Sequence, residues 1–255
     1  MAAKKEEKQV ANKQEAGFLV TDEVPDYLNQ GAARGSEEVG ADDLTIPRLD
    51  VIQAISPELK KNDPKFIPGA EAGMLYNSVT RELYGESVLV VPVLFKKQWL
   101  VWKDRKAGGG FRGAFDTPEE AGARLDELAQ QGESGPFDVV DTAQHLCLII
   151  NQETGKASEI AISMARSKMK VSRQWNSIIR MAGGDRFSRV YRIGSVEDSS
   201  DKGDFYNLSI SQAGYPTKPL YQAAEGLYND MTSGDRKLNV AADDTPDGEV
   251  HEDRF

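Results

Sequence analysis

The chain has 255 residues, is 39% hydrophobic and carries 31 basic against 41 acidic side chains. This apolar content can build a folded core, but no apolar run is long enough for a transmembrane helix. The charged N-terminus also lacks the apolar stretch of a secretory signal. We therefore expect a cytoplasmic protein that has no membrane partner.

The excess negative charge is confined to the two ends of the chain. Residues 1–43 carry five bases and ten acids, residues 239–255 carry one base and six acids, and the middle carries 25 of each. Segments with few apolar residues and a net charge do not fold on their own. We therefore predict a flexible acidic segment at 1–43, a folded domain at 44–238 and a disordered acidic tail at 239–255.

Strand patterns dominate the first half of the folded domain. Apolar and β-branched residues are concentrated in three runs, at 73–79, 87–95 and 98–102. The third run either continues the second or pairs beside it. Pro92 cannot donate a ladder hydrogen bond, so it predicts an edge position or a bulge.

The second half combines helices with hairpins. Thr117 and Glu120 form a capping-box pattern that predicts a helix ending near Gln131. Helical spacing predicts two more helices, at 167–182 and 218–231. Strand-like runs predict two hairpins, which pair 138–152 with 157–165 and 187–196 with 205–211. Since no strand–helix–strand unit recurs, we expect a mainly β fold with inserted helices, in the α+β class, built on a small antiparallel barrel.

The stretch from Phe95 to Phe115 interleaves five large aromatic side chains with six bases. Proteins that bind single-stranded nucleic acid use basic side chains to follow the phosphates and aromatic rings to stack on the nucleobases. Trp99 and Trp102 are three residues apart, so they face opposite sides of a regular strand and at least one should lie in the core. A core role for the rings is the alternative. The predicted phosphate contacts are Lys96, Lys97, Lys103, Arg105, Lys106 and Arg112, and the predicted stacking residues are Trp99 or Trp102 and Phe111.

A second basic cluster begins at Arg166. On a helix, Arg166, Lys170 and Arg173 would share one face through their spacings of four and three. An ordinary solvated basic face is the alternative. The residues predicted to extend the nucleic-acid path are Arg166, Lys168, Lys170 and Arg173. Further bases follow in predicted strand register with Tyr191, and these are Arg186, Arg189 and Arg192.

Signatures of catalysis or metal binding are scarce. One cysteine and two histidines exclude an internal disulfide and a Cys/His zinc site. Cys147 is expected to be a core residue, and His145 has no evident nucleophile as a partner. The glycines at 108–110 lack the Lys-Ser/Thr that completes a P-loop. We expect no enzyme activity, no catalytic residue and no cofactor, with a metal nuclease as the distant alternative.

The C-terminal tail ends in a bulky aromatic residue. The ring and the terminal carboxylate suit a pocket that combines an apolar slot with a basic rim, and the acids can also lie on a basic groove of the same protein. A solvated tail that maintains solubility is the alternative. The tail residues predicted to bind partners are Asp243, Asp244, Asp247, Glu249, Glu252, Asp253 and Phe255.

These features resemble bacteriophage single-stranded DNA-binding proteins of the replicative kind. The resemblance covers roughly 40–255 and rests on the tail ending in Phe255, the stretch 95–115, the run DLTIPRLDVIQ at 43–53 and the run GMLYN at 73–77. It implies an OB-fold core that coats and protects single-stranded DNA during phage replication, recombination or repair in the host cytoplasm. It also implies a tail that recruits a polymerase, helicase or primase and competes with DNA for the groove. A homo-oligomer is compatible with this function.

Two other functions remain open. One is a recombination mediator that anneals complementary strands. The other is a phage adaptor or inhibitor that binds a host polymerase and no nucleic acid. A labelled oligonucleotide separates the adaptor from the other functions. A DNA-coating protein and an annealing mediator both bind the oligonucleotide, whereas the adaptor does not.

Overall fold

The computed structural model describes residues 34–40, 43–152, 154–201, 203–234, 238 and 240. The chain divides into two compact units, Met1–Gly40 and Ala41–Phe255. The described part of the first unit is a turn, in which the amide of Gly35 donates a hydrogen bond to Glu37. All described helices and strands belong to the second unit.

The described residues form nine strands and three α-helices, which confirms the predicted mainly β, α+β class. No helix among them is both long and apolar enough to cross a membrane. The strands are β1 (Leu49–Val51), β2 (Leu75–Asn77), β3 (Leu83–Gly85), β4 (Ser87–Lys103), β5 (Phe111–Phe115), β6 (Phe137–Ile150), β7 (Ala157–Ala165), β8 (Val190–Ser200) and β9 (Gly203–Gly214). The helices are α1 (Pro118–Gln130), α2 (Met169–Ala182) and α3 (Lys218–Thr232).

The long strand β4 organises the main antiparallel sheet. The strand order is β7–β6–β4–β8–β9, and β5 also pairs with β4. β6 follows one edge of β4 along almost its whole length. The other edge is shared, because β8 pairs with β4 over 87–90 and β5 pairs with it over 99–102. A second sheet has the order β1–β2–β3.

The predicted antiparallel barrel is not closed among the described strands. β7 and β9 are the edges of the main sheet, and no ladder joins them. The chain around β1 touches both edges, since the amide of Ala161 donates to Pro47 and the Gln53 side chain exchanges two hydrogen bonds with the backbone of Tyr206. Barrel closure requires a tilted, continuous ladder between the first and last strands. These few contacts do not provide such a ladder.

Local sequence signals account for several of these elements. The register of β4 with β6 shifts between Pro92 and Leu94, which agrees with a bulge, one of the two alternatives predicted from Pro92. The two runs on either side of residues 96–97 form one continuous strand. Both sides of the capping box at Thr117 and Glu120 are present at the start of α1. The two predicted hairpins are β6–β7 and β8–β9, and β8–β9 extends further than predicted.

Two apolar clusters pack on opposite faces of the main sheet, because alternate residues of a strand point to opposite sides. Trp175 and Ile179 of α2 pack on one face, which we call the α2 face. Ala224 and Leu227 of α3 pack on the other, which we call the α3 face. Cys147 is buried within the α2-face cluster, as predicted for a core cysteine.

Candidate nucleic-acid interface

The α2 face of β4 carries an alternating row of two rings and a cation. Phe95, Lys97 and Trp99 occupy alternate positions, so their side chains leave the strand on the same side. Phe95 pairs with His145, whose ring stacks on Trp175 of α2, and this identifies the side as the α2 face. Phe95 is 37% exposed, Lys97 is exposed and Trp99 is half-buried. The row is therefore accessible to a ligand.

β5 adds a third ring beside this row. Phe115 is the register partner of Trp99, and opposite residues of paired strands project from the same face. The Phe115 ring lies over Gly113, where a Cβ atom would come within 2.7 Å of it. Gly113 also has a φ of 137°, which other residues rarely adopt. Glycine at this position therefore allows the Phe115 ring to lie back over its own strand.

Two cations lie over the rings. The Lys97 ammonium is 4.9 Å from the centre of the Trp99 ring and 3.0 Å from Asp141. The guanidinium of Arg186 is 5.5 Å from the centre of the Phe95 ring. Rings with neighbouring cations are the combination that holds unpaired nucleotides. We refer to this surface as the aromatic face, and its members are Phe95, Lys97, Trp99, Phe115 and Arg186.

A buried histidine fixes the orientation of Arg186. One guanidinium nitrogen donates to Asn176 Oδ1 at 2.9 Å, and another donates to His145 Nδ1 at 2.7 Å. Because Nδ1 accepts, the neutral imidazole carries its proton on Nε2, which donates to the Ser172 hydroxyl at 2.8 Å. Burial, together with the charge of Arg186, holds the pKa of His145 well below its usual value. His145 is therefore a neutral acceptor for Arg186.

The polarity of this chain of hydrogen bonds does not suit serine activation. A histidine that activates a serine accepts its proton, whereas His145 donates to Ser172. Burial raises the pKa of the Cys147 thiol to about 12, so the reactive thiolate is not available. The described residues contain no group of three or more His, Cys, Asp or Glu side chains that could hold a metal. The absence of enzyme activity stays a prediction.

Lys96 lies on the opposite face of the sheet from the aromatic face. It follows Phe95 in β4 and forms an ion pair with Asp116 at 2.9 Å. This ion pair and a hydrogen bond from Gln98 lower the pKa of Asp116. Lys106 is exposed in the loop after β4, and the side chain of Arg105 lies outside the described structure. Of Lys96, Lys97 and Lys106, only Lys97 contributes to the aromatic face in the described structure.

Lys103 and Arg112 share one carboxylate. Both donate to Glu133, at 3.0 and 2.7 Å, and Arg112 also donates to the carbonyls of Phe111 and Gly109. Hydrogen bonds from Arg112 and then Lys103 lower the pKa of Glu133 to about 2. Arg112 therefore ties the glycine loop to the segment after α1. Its predicted role at phosphates is untested, and we leave it out of the aromatic face.

Trp102 and Phe111 pack against each other. Their ring centres are 5.0 Å apart, and Trp102 is only 4% exposed in a small cluster with Val140. Register places Trp102 on the opposite side of β4 from Trp99, as the spacing of three predicted. Trp102 is thus the core member of the tryptophan pair. Trp99 is the ring that remains accessible for stacking.

The second basic cluster does not form the predicted helical face. Arg166–Lys168 form a 3-10 turn, and α2 begins after it. Arg166 has a φ of 50° and pairs with Asp138 of β6, so it is not part of the helix. Lys168 is buried, while Lys170 and Arg173 are exposed on α2. The predicted shared face of Arg166, Lys170 and Arg173 is wrong because the left-handed backbone at Arg166 separates β7 from α2.

The later arginines also have separate positions. β8 begins at Val190, so Arg186 and Arg189 precede the strand and the predicted strand register applies to Arg192 alone. Arg189 donates to the carbonyls of Ala182 and Gly183, at 2.8 Å each, and so caps the end of α2. Arg192 is exposed and pairs with Leu89, which belongs to the α3 face. Of the three arginines, Arg186 alone reaches the aromatic face.

Comparison with known proteins places the chain in a phage family. A family model described as Pam3 phage gp34-like protein matches residues 12–237. The chain belongs to the Pam3 phage gp34-like family. This membership indicates a bacteriophage protein, and the matched span includes the whole aromatic face. Searches of curated proteins and of solved structures returned no match.

The acidic tail follows the end of the family match. Val240, the last described residue, forms a parallel bridge with Ile46. The tail therefore starts from a fixed point next to the chain that leads into β1. The predicted partner-binding residues, Asp243, Asp244, Asp247, Glu249, Glu252, Asp253 and Phe255, lie outside the described residues.

Proposed function

We propose that this phage protein binds single-stranded DNA on the aromatic face. The observation that supports this most directly is the accessible row of Phe95, Lys97 and Trp99 on one side of β4, in which the first two are exposed and Trp99 is half-buried. Stacking contributes about 1–3 kcal/mol per base and does not depend on sequence. At roughly 3.4 Å per residue, the two rings are about 14 Å apart along the strand. A DNA strand running along β4 therefore meets two stacking points.

Existing ion pairs within the protein limit the electrostatic contribution to DNA affinity. Lys96, Lys97, Lys103 and Arg112 each have a carboxylate partner. A basic side chain that exchanges a carboxylate partner for a phosphate gains little electrostatic energy at an exposed site. Stacking is therefore the main source of affinity, and we expect a shallow dependence on salt.

The wider proposal is a coat protein for DNA intermediates of phage replication and recombination in the host cytoplasm. The family indicates a phage protein, and the tail has the chemistry of a recruitment segment for a polymerase, helicase or primase. The resemblance to replicative phage proteins implies an OB-fold-like core. The proposal uses only the open sheet face of that core, and it is compatible with a homo-oligomer.

A mobility-shift assay with a fluorescent oligothymidine, at low and moderate salt, tests this function. The wild-type protein is expected to shift the probe, and the Phe95→Leu/Trp99→Leu variant is expected to lose most of the shift. Tyr215→Leu is the matched control, because Tyr215 is 72% exposed and lies outside the aromatic face. Failure of the wild-type protein to shift the probe at low salt contradicts the proposal and favours the adaptor alternative. Conversion of complementary probes into duplex identifies the annealing alternative.

A further inference from the structure

We infer that Arg186 anchors one phosphate of the bound strand beside Phe95, and that His145 and Asn176 position its guanidinium. The inference rests on the proposed function and adds a fixed electrostatic point to a surface that otherwise acts through stacking. It also gives a role to the buried His145, for which the sequence indicated no nucleophile as a partner.

No described carboxylate forms a hydrogen bond or ion pair with Arg186, and the carboxylate of the neighbouring Asp185 accepts a hydrogen bond from Tyr221. Its hydrogen-bond partners are the neutral side chains of Asn176 and His145, and its guanidinium also lies against the rings of Phe95 and Trp175. Lys97, the other cation of the aromatic face, is paired with Asp141. A partly buried cation without a counter-charge is costly in a folded protein. A phosphate on the aromatic face supplies the missing charge.

Arg186 also has hydrogen-bonding capacity to spare. A guanidinium has five N–H groups, and the described contacts use one toward Asn176 and one toward His145. Its Nε is buried without an acceptor, as is Nε1 of the adjacent Trp175, so the remaining N–H groups of the two terminal nitrogens are the ones to bind a ligand. The planar fork of arginine matches two oxygens of a phosphate. Both the charge and the unused donors therefore point to the same class of ligand.

The positioning of the guanidinium is rigid. The His145 ring stacks on Trp175 with a centroid distance of 4.7 Å, and its Nε2 is held by Ser172. Its Nδ1 lone pair can therefore accept from Arg186 in only one direction. The guanidinium is held 5.5 Å from the Phe95 ring, so a phosphate bound there lies next to a stacking point. One nucleotide can thus engage both residues.

Salt dependence separates a phosphate anchor from a purely structural arginine. For single strands, each phosphate contact contributes about 0.7 to the slope of log K against log salt concentration. Fluorescence anisotropy with a labelled oligothymidine over a sodium chloride series measures this slope. Arg186→Gln is expected to reduce it by about 0.7. Arg192→Gln removes the same charge from the α3 face and is expected to leave the slope unchanged. Trp99→Leu is expected to weaken binding at every salt concentration and also to leave the slope unchanged.

Further variants test positioning and protect the result against misfolding. His145→Asn keeps an acceptor near the site of Nδ1 and is expected to retain the wild-type slope, whereas His145→Leu is expected to match Arg186→Gln. Arg186→Lys keeps the charge but not the fork, so we expect the wild-type slope with affinity lowered by roughly fivefold or more. Thermal unfolding identifies the variants that fold.

Two results overturn the inference in distinguishable ways. If the wild-type protein does not bind the oligonucleotide, the proposed function fails and the anchor fails with it. If the wild-type protein binds, but the folded Arg186 variants keep both its slope and its affinity, the anchor fails alone. A reduced slope in Arg186→Gln, with an unchanged slope in Arg192→Gln, supports the anchor.

Discussion

The Lys97 ammonium lies 4.9 Å from the centre of the Trp99 ring. The same ammonium pairs with Asp141, and the two charged side chains are 46% and 41% exposed. Exposed ion pairs contribute about 0–1 kcal/mol, so a phosphate can replace this carboxylate at small cost. If DNA binds here as proposed, Lys97 can exchange Asp141 for a phosphate and still remain close to the Trp99 ring.

Removal of the charge on Asp141 should strengthen DNA binding. In Asp141→Asn, Lys97 loses its competing anion but remains over Trp99, so we expect tighter binding at low salt and a steeper salt dependence. Anisotropy titrations with oligothymidine at two salt concentrations measure both effects. Glu119→Gln, in the first turn of α1, is the charge-matched control. Weaker binding by Asp141→Asn contradicts a role for Lys97 at phosphates.

The two neighbouring tryptophans should separate stability from binding. Trp102 is buried, so Trp102→Ala should lower the free energy of unfolding by about 3 kcal/mol. Trp99 is half-buried, so Trp99→Ala should cost less stability but should weaken DNA binding roughly 5- to 150-fold, which corresponds to the stacking energy. Urea denaturation and anisotropy measure the two quantities. The opposite assignment of the two effects would exclude Trp99 as the stacking residue.

Stability should fall as the pH falls below about 6.5. The pKa of His145 is lowered in the folded protein from an ordinary value of 6.5, so in this window the unfolded chain binds a proton that the folded protein does not. The free energy of unfolding then decreases by up to about 1.4 kcal/mol per pH unit. The pKa values of Asp116, Glu133 and Asp198 are also lowered, and their protonation reduces stability further only at more acidic pH.

Urea denaturation between pH 7 and pH 5 measures this effect in a window where those carboxylates contribute little. His145→Asn lacks the titrating group and is expected to have a flatter profile between pH 6.5 and pH 5. Identical profiles for the wild type and His145→Asn would show that another group controls the acid sensitivity. Arg186 is the charged group that affects His145 in the folded protein.

Local patterns in the sequence were sufficient for most of the fold. The capping box at Thr117, the bulge at Pro92 and both hairpins depend on residues close together in the chain, and each is present in the structure. The open sheet depends instead on how β4 divides one edge between β5 and β8. That division joins distant segments, and alternation within one strand carries no information about it.

The candidate site was only partly predictable. The sequence left open whether residues 98–102 continue the run at 87–95 or pair beside it, so the alternation of Phe95, Lys97 and Trp99 along one strand was not fixed and Phe95 was not singled out. The alternation itself was visible in the sequence and could have identified Phe95. The pairing of Lys97 with Asp141, and of Arg186 with His145, links positions far apart in the chain. Charge counting therefore overestimated how many bases are available for phosphates.

Removal of the acidic tail should strengthen DNA binding at low salt. Truncation after Val240 keeps the bridge to Ile46 and removes six acids and one base. If the tail competes with DNA, the truncated protein should bind oligothymidine more tightly at low salt, and the difference should shrink as salt screens the charges. Phe255→Ala is the matched variant, which should leave DNA affinity unchanged but abolish capture of a replication protein. Unchanged low-salt affinity after truncation contradicts competition by the tail.

Photo-crosslinking tests the location of the bound strand most directly. An oligothymidine that contains 5-iododeoxyuridine is irradiated with the full-length protein, and the modified peptides are mapped by mass spectrometry. We predict adducts on Phe95 and Trp99 of β4, lost in the Phe95→Leu/Trp99→Leu variant and retained in Tyr215→Leu. Adducts confined to the α3 face, or to other residues outside the aromatic face, would contradict DNA binding on this face.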